Sequence, residues 1–330
     1  MINSRKANVY SLLFVAVGMT TVFLAGCGGS MTPNSTSAPA SASAKVVPLA
    51  NDFKFTTINN PADLTFNQLL GINDKFTISG YYGSGLTGHP NRGYTVVAPF
   101  PPGVFTAEDF PGSVQTQVTC IDNKGNTGGF WVGAKGVNRG FIEWNGVFTS
   151  YAHPKAKATV TQILGLNNDG IAAGFYTNKN GVNHGFTLDQ ATGAFTPVVP
   201  PGSANVTASA INNKGDVVGF YTTGSDVTLG FFFKKTTKAY TVFRFPGSNN
   251  TTPFGVNDGD AIVGSYVDAQ NAMHGFLLTN VVGTAKFTSI DDPNGIGTTT
   301  INGIAPNAFD MVGFFVDGNG NTNGMIIQPK

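Results

Sequence analysis

Two of the chain's four histidines, His184 and His274, occupy equivalent places in nearly the same six letters, "NHGFTL" and "MHGFLL". Imidazole could serve a metal or a proton. These two belong to non-adjacent copies of a repeat, on strands spaced by ~4.8 Å, and lie too far apart to share one ion. They read as polar residues at the entrance of a strand. Acid–base chemistry would draw on the carboxylate pairs Glu108/Asp109 and Asp291/Asp292. Neighbours along a strand point to opposite faces, so neither pair converges by itself. The run "DGNGNTNG" (Asp317 to Gly324) alternates Asp317, Asn319, Asn321 and Asn323 as a calcium loop does. It lacks the closing acidic residue and reads as a Gly/Asn-rich hairpin. Ser84 stands between glycines but out of frame for a nucleophile elbow, and the chain has no H-E-x-x-H, P-loop or dinucleotide fingerprint. Cys120 falls where other copies have Gly71, Gly165, Ala210, Gly255 and Gly303. A thiol there is a small apolar filler. These patterns assign no catalytic residue, metal site or cofactor.

The repeat decides what positions these residues. The Gly of a "VGFYT"-type element recurs at Gly80, Gly129, Gly174, Gly219, Gly264 and Gly313, at intervals of 49, 45, 45, 45 and 49 residues. The Gly of an "HGF"-type element recurs at Gly93, Gly140, Gly185, Gly230, Gly275 and Gly324, at intervals of 47, 45, 45, 45 and 49. Each copy holds four strand-like runs; in the fourth they are "TASAIN", "DVVGFYT", "LGFFF" and "YTVFRF", separated by "NNKG", "TTGSD" and "KKTTKA". Four strands of about 6 residues and four links of about 5 account for the period. A four-stranded unit at this spacing is the signature of a propeller blade.

The runs are apolar on both sides, as a sheet sandwiched between neighbours requires. Glycine in the second and third strands lets the neighbouring blade or a large aromatic approach closely. The last copy stops at its third strand, "GMIIQPK", while an orphan of the fourth type, "FKFTTINN" (Phe53 to Asn60), precedes the first. The expected fold is all-β: a six-bladed β-propeller of four-stranded blades, closed by that N-terminal strand as the outermost strand of the last blade.

Propeller topology puts the links from fourth to next first strand, and from second to third strand, on one face. Function on a repeat scaffold sits where loops differ over a constant core. The hairpin "GSGLTGHPNR" (Gly83 to Arg92) is the longest of its type. Candidate ligand contacts are His89 and Arg92 there, with Lys135, His153, Lys155 and Lys179 in the other loops of this face. Lys157 belongs to the same set of basic loop residues.

The chain opens with Arg5 and Lys6, then an apolar run from Ser11 to Ala25, then small residues around Cys27, which reads as a secretory signal peptide over residues 1–26. Leu24-Ala25-Gly26-Cys27 resembles the lipobox of bacterial lipoproteins, which implies lipidation of Cys27 and attachment to a membrane. Gly28 stands where inner-membrane retention would place Asp, pointing to the outer membrane or cell surface of a bacterium. Residues 27–51 are rich in Ser, Ala, Thr and Pro and read as a flexible tether, leaving residues 52–330 for the propeller. With Cys27 lipidated, Cys120 has no disulfide partner. A net charge of +1 argues against a nucleic-acid surface.

The repeated pattern in "GVNDGDAIVGSY" (Gly255 to Tyr266), "MHGFLL" and "FTSIDDPN" (Phe287 to Asn294) resembles the bacterial extracellular HAF-type repeat family over almost all of residues 53–330. Leu229 and Met325 depart from it, as does "GIAPNAFDMVGFF" (Gly303 to Phe315), one residue longer than its equivalents. The resemblance implies an exported, propeller-like repeat protein and no established activity. The expected function is a lipid-anchored binding scaffold for a glycan, peptide or protein. The rivals are a carbohydrate-active hydrolase or lyase, with acids from several blades converging on the axis, and a purely structural surface protein.

Overall fold

A computed structural model describes residues 52–156, 160–225 and 227–330. Residues 1–51, read above as a signal peptide, Cys27 and a tether, and Lys157 lie outside the described residues. Among those described there is no α-helix, and the apolar runs form 24 β-strands, β1 to β24.

β1 (Phe53–Thr57) comes first. Unit one is β2 (Asn67–Ile72), β3 (Ile78–Tyr82), β4 (Arg92–Val97) and β5 (Val104–Ala107). Unit two is β6 (Gln115–Ile121), β7 (Thr127–Val132), β8 (Asn138–Trp144) and β9 (Val147–Tyr151). Unit three is β10 (Val160–Leu166), β11 (Ile171–Thr177), β12 (Asn183–Asp189) and β13 (Phe195–Val198). Unit four is β14 (Asn205–Ile211), β15 (Val217–Thr222), β16 (Thr228–Lys234) and β17 (Ala239–Phe243). Unit five is β18 (Asn250–Val256), β19 (Ile262–Val267), β20 (Met273–Thr279) and β21 (Lys286–Ile290). Unit six has β22 (Thr299–Ile304), β23 (Met311–Val316) and β24 (Thr322–Pro329). Its fourth strand is β1, antiparallel to β24 from Phe53 opposite Pro329 to Thr57 opposite Met325. Within every unit successive strands pair antiparallel. Single parallel contacts, Asn138 with Val160 and Thr228 with Asn250, join units two and three, and four and five, into two eight-stranded sheets. The isolated bridges Met273–Thr298 and Phe66–Thr322 repeat that contact from five to six and from six to one.

The core is divided among the spaces between neighbouring units. Cys120, Ile142, Ile163 and Phe186 cluster between two and three, and Val218, Phe232, Phe276 and Phe287 between four and five. Ile58, Leu69, Tyr94, Val312 and Ile326 cluster between six and one. Cys120 is buried as the small filler expected, and that burial is the leading cause pushing its thiol up to about 12. The second-strand glycines clear a large aromatic as expected, Phe186 against Gly174, and a closer neighbour as well: a Cβ on Gly174 would overlap the Gln162 carbonyl of the unit's own first strand, beside a bulge between Ile163 and Gly165. The third-strand Gly140 and Gly185 do meet the next unit, at Ile163 and Val206.

Polar bonds stitch the turns between first and second strands from unit to unit. The N–H of Asp74 donates to Oδ1 of Asn123 at 3.0 Å, Asn123 to Asn168 at 2.9 Å, Asn168 to Asn213 at 3.0 Å and Asn213 to Asp258 at 2.8 Å. Asp258 N–H donates to the Pro306 carbonyl at 2.8 Å, and Asn307 N–H donates to Asp74 Oδ1 at 2.9 Å. The extra residue of unit six falls in this last turn, where the carbonyl of one residue and the amide of the next replace a single Asn.

Ile58 is fully buried among side chains of units six and one. Ile58→Ala should lower unfolding free energy by about 2–5 kcal/mol. Val147→Ala, at a 63% exposed site, should change it by less than about 0.5 kcal/mol. Urea denaturation reads both, and equal effects would mean that the N-terminal segment is not integrated in the core.

Candidate functional site

The links from fourth to next first strand share a face with the hairpins between second and third strands, because the bridges between units form where these loops meet. Three of the links are pinned alike. The residue before the proline donates its N–H to a first-strand threonine: Phe110 to Thr116, His153 to Thr161 and Phe245 to Thr251, each at 3.0 Å. Its ring stacks on an aromatic of the next unit, with centroids 4.4 Å apart for Phe110/Trp131, 3.8 Å for His153/Tyr176 and 3.5 Å for Phe245/Tyr266. In unit four the paired positions are Pro200 and Val206, so donor and acceptor are missing together. His153, expected as a ligand contact, is therefore first a clamp on its loop.

The long hairpin Gly83–Arg92 meets the loop 61–65 in an open cleft of about 470 Å³ that includes Asp63, Leu64, Tyr82, His89, Pro90 and Arg92. The size lies in the range of small-ligand sites. Gly83 adopts a φ of +91°, and a Cβ there would run into the Pro90 carbonyl, so only glycine allows this turn. The base is braced by Asn91, which donates to Gly83 O and accepts from Gln117 Nε2 at 2.9 Å.

Asp63 was not singled out in the sequence, yet it organises the cleft. Its Oδ1 accepts the Thr65 N–H at 2.8 Å and the Thr65 hydroxyl at 2.7 Å, closing the turn as Ser248 does in another unit by accepting the Asn250 N–H. Oδ2 is left over, buried, 3.2 Å from Nδ1 of His89. The Asp63 side chain is 7% exposed and that of His89 50%, so the acid is the fixed partner and the imidazole faces solvent. Oδ2 and Nδ1 lie close without a hydrogen bond between them, so the contact fixes where the imidazole ring sits. Arg92 touches Asp109 through one nitrogen at 3.5 Å, which leaves most of its donor fork free. The signal available in the sequence was "PADL", where other units read "PGSV", "PGSA" or "PGSN".

Lys135, Lys155 and Lys179 do not join this cleft; they lie with His153 on the loop faces of units two and three. A cavity of about 70 Å³ has walls from all six units, including Leu70, Thr119, Leu164, Phe254 and Asn302. That is room for about two waters and not for a sugar. Its carboxylates are already engaged: Asp122 by Asn126 and Lys124 N–H, Asp258 by Asn213. Asp317 accepts from the N–H groups of Asn319 and Asn321 at 2.9 Å, which closes the Gly/Asn-rich hairpin. Among the described residues no three His, Cys, Asp or Glu side chains group as metal ligands.

The fold has solved counterparts. A TolB-type protein from Agrobacterium tumefaciens matches with a TM-score of 0.55 at 11% identity over 84% of this chain and 98% of its own. A mutant Aleuria aurantia lectin in complex with Fucα1-6GlcNAc matches with a TM-score of 0.50 at 11% identity over 79% and 91%. The fold is propeller-like. At such identity the likeness is one of fold alone. No protein-family model and no curated protein sequence matches the chain.

His274 stands between two acids, Nδ1 at 3.0 Å from both oxygens of Asp291 and Nε2 at 3.2 Å from Asp268. Asp291 thus has a partner on the neighbouring strand while Asp292 is buried. Burial disfavours the charged ring, but Asp291 and then Asp268 outweigh it and hold the imidazole above its ordinary value. With the folded value raised, the stabilisation is complete below about pH 6.5, the unfolded value, while the acids stay ionised, and is lost as pH rises through the folded value. His274→Leu, the residue unit four carries at Leu229, should cost more at pH 5.5 than at pH 9, by about 1 kcal/mol or less for a partly exposed pair. Urea midpoints at the two pH values measure this, and an equal cost at both would contradict it.

Proposed function

We propose that the chain is a six-bladed β-propeller closed by β1, exported and held at a membrane by lipid on Cys27, and that it binds a glycan in the cleft of unit one. Closure is supported by the β1–β24 pairing, by the apolar cluster shared by units six and one, and by hydrogen bonds that return to Asp74. The lipidation reading rests on Leu24-Ala25-Gly26-Cys27, and assignment to the exported HAF-type repeat proteins rests on the repeated motifs.

The observation that carries the glycan reading is the composition of the cleft. A partly exposed tyrosine ring and the aliphatic edges of Leu64 and Pro90 stand beside the half-exposed imidazole of His89 and a free donor fork on Arg92. A sugar ring offers an apolar C–H face and hydroxyls that donate and accept, and so matches both halves. The fold is also that of a lectin solved with a fucosylated disaccharide, a likeness that carries the scaffold and not the ligand.

Thermal unfolding against neutral oligosaccharides, with peptides as comparison, tests this. A ligand of the folded state at 100 times its Kd adds about 2.7 kcal/mol, a visible rise in midpoint. One sugar class should produce it, and Tyr82→Ala or Arg92→Ala should abolish it. Shifts from peptides alone, or sugar shifts that survive both substitutions, would refute the assignment.

A further inference from the structure

We propose a second site, independent of the cleft, in which the loop faces of units two and three bind an acidic polysaccharide. The argument starts from charge segregation. Between Gln115 and Val198 the carboxylates are Asp122, Glu143, Asp169 and Asp189. All four lie at the far end of the strands from the loop face. Asp122 and Asp169 sit in the turns between first and second strands, and Glu143 and Asp189 end third strands, opposite Thr127 and Ile171. Of the described bases in this span Lys124 stays at the acidic end, bonded to the Asn168 carbonyl, while Lys135, Arg139, Lys155 and Lys179 lie at the loop end, all exposed, and none of these four makes an ion pair among the described residues. Asp109, in the loop leading into unit two, is taken by Arg92.

The four bases belong to one continuous surface. Arg139 lies directly across from Trp131 and next to Asn138, which bridges Val160 of unit three. The link ending at Val160 carries Lys155, whose N–H bonds to His153 Nδ1 at 3.1 Å. His153 stacks on Tyr176, and Tyr176 on His184 with centroids 5.0 Å apart. His184 Nε2 lies 2.9 Å from Nδ2 of Asn178, the residue before Lys179. Cations therefore border the partly exposed rings of Trp131, His153 and His184, with Tyr176 buried between the two histidines. The field is felt locally: burial first, then Lys155 and His184, hold His153 below its ordinary value.

This arrangement suits a linear polymer of sugar rings that carry carboxylates: carboxylates meet bases at intervals while sugar rings lie against the partly exposed aromatics. A lipid surface fits less well. The most exposed aliphatics of this face are Leu64 at 63%, Leu86 at 69%, and Val199 and Ile296 at 61%; Leu64, Leu86 and Ile296 lie in the loops of other units, Val199 lies past the end of unit three, and the link into unit two adds only Val114 at 43%.

Polygalacturonate is the probe, with neutral dextran and phosphatidylglycerol vesicles as comparisons. The protein should bind polygalacturonate and not dextran at this surface, with affinity falling between about 50 and about 300 mM salt as charges are screened. The combined variant Lys135→Ala/Arg139→Ala/Lys155→Ala/Lys179→Ala should keep the unfolding midpoint and bind about tenfold more weakly or worse, through four surface pairings each modest alone. In NMR titrations the His153 ring should gain a higher pKa on binding, since carboxylates beside it favour the imidazolium. Tyr82→Ala should leave polygalacturonate binding intact, so that failure of the cleft and failure of this surface are told apart. Absence of polygalacturonate binding, unchanged affinity in the combined variant, or vesicle binding that alone depends on the four bases would overturn the proposal.

Discussion

A four-stranded sheet that is apolar on both faces cannot be stable alone, and this requirement governs the whole molecule. Each unit hides its faces against the units before and after it, so its core is owned jointly. The apolar clusters follow this rule, with side chains of two neighbouring units in each. The end units face the same requirement as the middle ones. It is met where β1 completes unit six and Ile58 joins side chains of unit one.

Polar groups follow the same logic. Bulged first strands and tight turns leave backbone amides and carbonyls that no strand satisfies. Asn, Asp, Ser and Thr at fixed places in the repeat bond them across to the next unit, as Thr119 does to Ile163 O at 2.8 Å and Ser209 to Pro253 O at 2.6 Å. One end of the molecule is thereby committed to holding units together. The opposite face, three of whose links are pinned by one backbone bond and one stacked ring, keeps its remaining loop residues for contacts. The cleft and the basic surface both lie there.

The candidate site was legible only in part. The hairpin Gly83–Arg92 stands out by its length, and His89 and Arg92 are its polar residues. Asp63 did not stand out, because it occupies an ordinary turn position and its second oxygen acquires a role only when a loop 26 residues later in the chain folds over it. His153 reads as a loop residue and Phe245 as the last residue of a strand-like run, and their stacking on Tyr176 and Tyr266 crosses from one unit to the next. His274 is polar in the sequence, but its place between Asp268 and Asp291 depends on two turns that strand register brings together.

What the sequence determined is what local chemistry and period can carry. Strand runs, turn residues and the recurring glycines follow from backbone sterics and from side chains that repeat every 45 to 49 residues. The separation of the last three strands from their fourth, Phe53–Thr57, was visible for the same reason. What only the tertiary structure decided is which side chains meet across units: the Asp63–His89 pair, the stacked clamps, and the separation of bases from acids in units two and three. Those contacts are set by how consecutive sheets pack face to face, and side-chain distances between sheets are not written in the spacing of residues along one chain.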